Sequence, residues 1–159
     1  MSITPTVFFK NLDELLQGET PLEKALELTL QTLGADSGTL HLRQGEFLHL
    51  KASSKGLPAP VLDKIREIPI GKGMAGLAAE RKEPVTTCNL QQDTSGDVRP
   101  GAKATGLAGS ICVPCLFEGE VVGTLGVANQ KERDFTPEET DLLLETARRI
   151  GVLAQKGSI

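Results

Sequence analysis

The chain has 159 residues and a formal net charge of −4, long enough to bury a core and consistent with one domain over residues 1–159. The negative balance speaks against nucleic acid or an anionic membrane as the main partner. With no Trp, no Tyr and five Phe, there is little on which a flat ring could stack. The apolar runs fall short of the roughly 20 residues that span a bilayer, and the amino end carries Asp13 and Glu14 without the basic start of a signal peptide. The expected location is therefore the cytoplasm.

In chain order, Thr4-Pro5, Thr20-Pro21 and Thr136-Pro137 each read as a helix start, with Thr as N-cap and Pro where an N–H would go unpaired anyway. The first helix, within an N-terminal segment 1–19, runs to about Gln17 with Phe8, Leu12, Leu15 and Leu16 as its stripe. Thr20-Pro21-Leu22-Glu23 has the form of a capping box and opens a helix that Gly34 ends. Residues 38–43 and 46–53 form a hairpin about Gln44-Gly45. It carries His41 and His49, two lone histidines without partnering Cys or carboxylates, which read as surface or edge residues rather than metal or haem ligands.

A short helix over 61–66 follows, then an extended Ile68-Pro69-Ile70. Gly71, Gly73 and Gly76 match G-x-G-x-x-G, but the short, Pro-broken strand before them and the surrounding hairpins exclude a dinucleotide fold. Two readings stay open for this glycine-led helix over 74–81. Its start offers backbone N–H groups to an anion or polar head, or its glycines let it pack closely on a sheet. Residues 85–88 form a short strand. Residues 89–108 form a long polar loop, with a helical turn over 103–107, of the kind that serves as a lid or binding segment.

Residues 109–129 read as the central hairpin, turning at Glu118-Gly119. A simple register pairs Leu116 with Val121, Cys115 with Val122, Val113 with Thr124 and Ile111 with Gly126. Both faces are apolar, so the hairpin belongs in mid-sheet, covered on both sides. In this register Leu125, Val127 and Cys112 meet the terminal helices, and the smaller face with Ile111, Val113, Thr124 and Gly126 floors a pocket. One residue of slip would reverse the assignment. Cys112 and Cys115 form a C-x-x-C, but residues three apart on a strand point to opposite faces. With Cys88 they read as reduced thiols, the buried pair as small hydrophobes. Residues 137–155 form the last helix.

Taken together, Ala35-Asp36-Ser37-Gly38, Ile70-Gly71-Lys72-Gly73-Met74-Ala75-Gly76, Glu83-Pro84-Val85, Ser110-Ile111-Cys112-Val113-Pro114, residues 121–129 and Phe135-Thr136-Pro137-Glu138-Glu139 give a chain that resembles a GAF domain over nearly its whole length. The resemblance implies an α+β, GAF/PAS-like fold. It has a central six-stranded antiparallel sheet, terminal helices on one face, and short helices and the long loop over a pocket on the other. It implies ligand-binding candidates Met74 and Leu77 on the glycine-led helix and Thr87 and Cys88 after it. Asp93, Val98 and Leu107 are candidates in the loop, and Ile111, Val113, Thr124 and Gly126 on the hairpin.

The resemblance also implies a non-catalytic sensory module that takes a small-molecule ligand, needs no cofactor or metal, and signals through a partner protein. A homodimer through the terminal helices is expected, and an interaction module with no ligand, working as such a dimer, is the alternative. A thiol redox sensor or an enzyme like the free methionine sulfoxide reductases ranks below both. That enzyme pattern places a Cys where Ala75 stands, and another in the loop, where this chain has none. Asn129, Lys131 and Phe135 echo a cyclic-nucleotide signature of the family, but Glu139-Thr140 replaces its Asp-Glu pair, and the Cys and flanking His of a bilin site are missing.

Overall fold

The protein was analysed as a computed structural model, which describes residues 4–92 and 106–156. Helices α1 (Pro5–Leu16) and α2 (Pro21–Leu33) lead into strands β1 (Ser37–Gln44) and β2 (Phe47–Ser53). Helix α3 (Ala59–Ile65), strand β3 (Glu67–Pro69), helix α4 (Gly73–Arg81) and strand β4 (Val85–Thr87) follow. After a 3-10 turn at Leu90–Gln92 come β5 (Ser110–Phe117), β6 (Glu120–Ala128) and the long helix α5 (Pro137–Gln155). The six strands form one antiparallel sheet in the order β3-β2-β1-β6-β5-β4. The expected α+β architecture is the one observed.

Helices α1, α2 and α5 cover one face. Phe8, Leu12, Leu26, Leu143, Ala147 and Ile150 join Leu40, Ile111, Val113, Cys115, Leu125 and Val127 in the main core. The other face carries two smaller clusters beneath α4. In one, Ala79 meets Leu48, Ile68 and Val121; in the other, Ala78 meets Val85 and Cys112. Nearly all of the stripe on α1 and α5 is spent inside the fold, and Phe9, Leu144 and Leu153 pack on its edge.

The central hairpin departs from the simple register. Its turn is the expected one, with Glu118 at φ 51° and Gly119 at φ 81°, the two positive values that a tight two-residue hairpin loop requires. Leu116 pairs with Val121 as expected, but Cys115 pairs with Gly123, which leaves Val122 as an extra residue on β6. This β-bulge shifts the rest of the ladder by one, so Val113 faces Leu125 and Ile111 faces Val127. The period of two then turns β5 over relative to the expectation. Ile111 and Val113 pack against the terminal helices, and Cys112 faces the α4 side.

Gly123 makes the bulge possible, because a Cβ there would lie 2.4 Å from the carbonyl oxygen of His41 on β1. On the outer side, Gly151 lets α5 approach, since its Cβ would meet Val122 Cγ2 at 3.1 Å and Leu116 O at 3.3 Å.

Two local expectations are also corrected. Thr20 has φ 43° and makes no side-chain cap, because the tight α1–α2 connection holds it in the left-handed region; only Thr136 with Glu139 forms the reciprocal capping box among the described residues. His41 is 1% exposed rather than at the surface, since β1 lies inside the sheet between β2 and β6. The expected turn over 103–107 lies largely outside the described residues.

Arg133 closes the end of the molecule where α2, β6 and α5 meet. Its guanidinium donates to Asn129 Oδ1 at 2.9 Å, to the Leu33 carbonyl at 2.8 Å and to Glu139 Oε2, and it lies 4.5 Å from the centre of the Phe135 ring. Asn129 in turn donates to Gly34 O, and Asp36 accepts from the Gln130 N–H. Asn129 and Phe135, which echo the cyclic-nucleotide signature, are thus engaged in holding elements together. Burial opposes ionisation of Glu139, but hydrogen bonds from the Thr136 N–H and Arg133 outweigh it and hold the carboxyl below its ordinary value.

The bulge makes a testable pair of glycines. Gly123→Ala should cost about 1–3 kcal/mol, since backbone must move to admit the methyl. Gly126→Ala, whose Cβ would find only ordinary contacts at 3.5 Å or more, should change stability by no more than about 0.5 kcal/mol. Urea unfolding of both variants measures the difference.

Candidate functional site

Between the sheet and the layer of α3 and α4 lies a cavity of about 540 Å³. Its floor comes from three neighbouring strands. Ser37, Thr39 and His41 on β1 are in register with Ala128, Gly126 and Thr124 on β6, and these with Ser110, Cys112 and Pro114 on β5. Of this patch, all but Thr124 and Pro114 border the cavity. The middle row is Thr39, Gly126 and Cys112, and the absent side chain of Gly126 leaves the hollow in the floor. Leu57, Val61, Lys64 and Ile65 from α3 and the chain before it form one wall, with Ile68 from β3. Lys72, Gly73, Met74 and Ala75 at the start of α4 form another, and Leu90 and Leu107 border the remaining side.

The glycine motif holds α4 in place. Gly76 carries no Cβ because one would lie 2.5 Å from the Pro69 carbonyl oxygen, and Gly71 N–H donates to Gly76 O at 2.8 Å. Gly71 and Gly73 have φ of 93° and 68°, which turn the chain from β3 into the helix within a few residues. The close-packing reading accounts for Gly76 directly. The same turn brings the first residues of α4 to the cavity.

His41 links floor to wall. Its Nε2–H donates to the carbonyl oxygen of Ile65, the last residue of α3, at 2.8 Å. Desolvation pushes the imidazole below its ordinary value, and His49 adds to this, while the bond to Ile65 partly opposes it. Elsewhere on the floor, Ser37 Oγ lies 3.0 Å from Ser54 Oγ. Ser110 donates to Val127 O over 3.4 Å. The buried Thr124 hydroxyl has no hydrogen-bond partner among the described residues. The Cys112 thiol, its neighbour, offers only a weak contact; burial pushes that thiol up to about 12, slightly offset by Thr124.

Of the residues expected to meet a ligand, Met74, Leu107, Ile111 and Gly126 border the cavity. Ile111 does so from a position whose packing belongs to the terminal-helix core. Val113 lies wholly on the helix side, turned there by the bulge. Leu77 packs in the cluster of Ala78, Val85 and Cys112, Thr87 pairs with Ser110 at the sheet edge, and Thr124 lies in the row beyond Gly126. Cys88 is exposed outside the cavity. Asp93 and Val98 lie outside the described residues. Sequence reasoning missed Thr39, His41, Val61, Lys64, Ile65 and Lys72. The alternation of Thr39 and His41 along β1, and Val61 with Ile65 at helical spacing, carried a usable signal. Among the described residues, no group of three His, Cys, Asp or Glu side chains could hold a metal ion, and no helix is long and apolar enough to cross a membrane.

A GAF domain family model matches residues 19–153. The chain belongs to the GAF domain family. The GAF domain of a phosphoenolpyruvate-protein phosphotransferase from Coxiella burnetii is 21% identical, with TM-score 0.77 over 98% of this chain and 99% of that one. The corresponding Acinetobacter GAF domain is 18% identical, with TM-score 0.78 over 100% of both chains. The free methionine-R-sulfoxide reductase from Neisseria meningitidis, solved with its substrate, is 18% identical, with TM-score 0.76 over 100% of this chain and 96% of that one. Identities this low show a common fold. No curated protein matches the chain in sequence.

The His41 environment has a pH consequence. The folded protein holds His41 neutral, whereas the unfolded chain takes up a proton as pH falls through the ordinary value of 6.5. This contribution to stability is complete above that value and is lost as pH drops below it, toward the folded-state value. Unfolding free energies measured on either side of it should fall with acidity, and the fall should shrink in His41→Gln. An unchanged pH profile in that variant would rule the coupling out.

Proposed function

We propose that this GAF domain is a non-catalytic sensory module that binds a small molecule in the cavity between the sheet and α3–α4 and passes occupancy to a partner chain. The observation that carries the reading is the cavity itself. Its volume falls within the ~300–1,000 Å³ of small-molecule sites, and its lining is mainly aliphatic with a few polar groups. The floor strands β1, β6 and β5 have the cavity on one face and α1, α2 and α5 on the other. A shift of the floor is therefore felt directly by the terminal helices.

Two other readings have less support. For a homodimer through the terminal helices, the exposed large apolar side chains among the described residues are only Val7 on α1 and Phe47 on β2. For thiol chemistry, Cys88 is the exposed cysteine, but desolvation by the chain around it and the carboxylates of Asp134 and Glu132 push its thiol up. That is the wrong direction for a nucleophile.

Native mass spectrometry of the protein as purified, followed by thermal-shift screening against small metabolites, tests the main reading. A retained or stabilising molecule is expected, and Gly126→Leu, which fills the hollow in the floor, should abolish both effects while the fold persists. Stabilisation that survives Gly126→Leu would place the ligand elsewhere. Alkylation of Cys88 should proceed no faster than that of a small free thiol at neutral pH; a markedly faster rate would revive the thiol enzyme.

A further inference from the structure

The charges around the cavity run against those of the whole chain. Acidic residues outnumber basic ones by 21 to 17. Yet among the described residues the charged side chains bordering the cavity are Lys64 on α3 and Lys72 before α4, with no carboxylate between them. Neither lysine is held in an ion pair among these residues, and Asp63, next to Lys64, is engaged by Arg66 at 2.8 Å. Glu80 Oε2 lies against Gly71, but within the lining two cations from separate wall elements, neither in an ion pair among the described residues, raise the positive potential beside the low-dielectric walls.

The interior behind them is aliphatic, and none of the five Phe borders it. A flat heteroaromatic ring would find only the His41 imidazole, which is already tied to Ile65 O, and no Phe, Tyr or Trp to stack on. A lysine ammonium is a mobile point charge rather than a planar fork, which suits a single anionic head without demanding a fixed bidentate geometry. The hollow left by Gly126 gives space for a hydrocarbon body.

We propose that the cavity takes a small aliphatic carboxylate, its head between Lys64 and Lys72 and its body over Gly126. The inference rests on the small-molecule reading above and specifies the ligand class. The head gains from two ammonium groups that are in no ion pair among the described residues, and each buried methylene adds to the affinity until the cavity is full. A cation of the same shape is repelled at the mouth, and a neutral alcohol keeps only the apolar contribution.

Calorimetric titration of the full chain with straight-chain carboxylates from butanoate to decanoate, and with the alcohol and amine of each length, tests this. The carboxylate should bind at least about tenfold more tightly than its alcohol, and the preference should weaken with added salt. Affinity should rise with chain length and then level off. Lys64→Gln combined with Lys72→Gln, both exposed positions, should remove the preference and leave alcohol binding intact, whereas Gly126→Leu should weaken every probe. Equal binding of the three head groups, or a preference that survives the double variant, overturns the carboxylate assignment and leaves the small-molecule reading standing. Binding of none of the probes also overturns the assignment. The small-molecule reading is then judged separately, by whether the protein as purified carries a bound mass.

Discussion

The extra residue at Val122 is the constraint on which the rest of the arrangement depends. One bulge beside the hairpin turn decides which half of β5 meets the terminal helices and which meets α4. It brings Cys112 into line with Gly126 and Thr39, and so sets the row that floors the cavity. Two glycines accommodate it. Gly123 allows the close passage of His41 O, and Gly151 lets α5 settle over Val122. A larger residue at either place would press on neighbours already in contact.

The wall opposite the floor is pinned by short polar contacts in addition to the apolar clusters beneath α4. His41 fastens the end of α3, and Gly76 fastens α4 to the chain at Pro69. Each attachment ends on a backbone carbonyl oxygen, with short range and little tolerance for displacement. Arg133 gives a comparable fixed point at the far end, joining α2, β6 and α5 through one partly buried guanidinium. The cavity therefore lies between elements fixed to the sheet at specific points, which is the kind of setting that positions a binding surface.

Most of the fold was legible in the sequence because its signals are local. The Thr-Pro starts, the stripe of Phe8 and Leu12, the turn at Glu118-Gly119 and the alternation of the strands each depend on near neighbours. The facing of β5 was not legible, because Val122 looks like any other strand residue; only the approach of β1 to Gly123 shows why a residue is extra there. Thr20 misled for a related reason, since a capping-box spelling says nothing about the φ that the preceding turn imposes. The candidate site was half legible. Gly126 and Met74 follow from small residues on a strand and from the glycine-led helix. Alternation along β1 could have found His41, but Lys64 and Lys72 become neighbours of the same space only when α3 folds back over β1, a relation that no spacing encodes.

The functional account comes down to whether a small molecule enters this space. Met74 borders the cavity, and the chain contains only one other methionine, Met1. Protein labelled with carbon-13 at the methionine methyls therefore gives one reporter inside the site and one reference. Spectra of protein as purified, of protein stripped by unfolding and refolding, and of stripped protein returned to a small-metabolite extract should show the Met74 methyl moving on loss and return of ligand, with Met1 unchanged. A Met74 signal identical in all three samples would contradict the account.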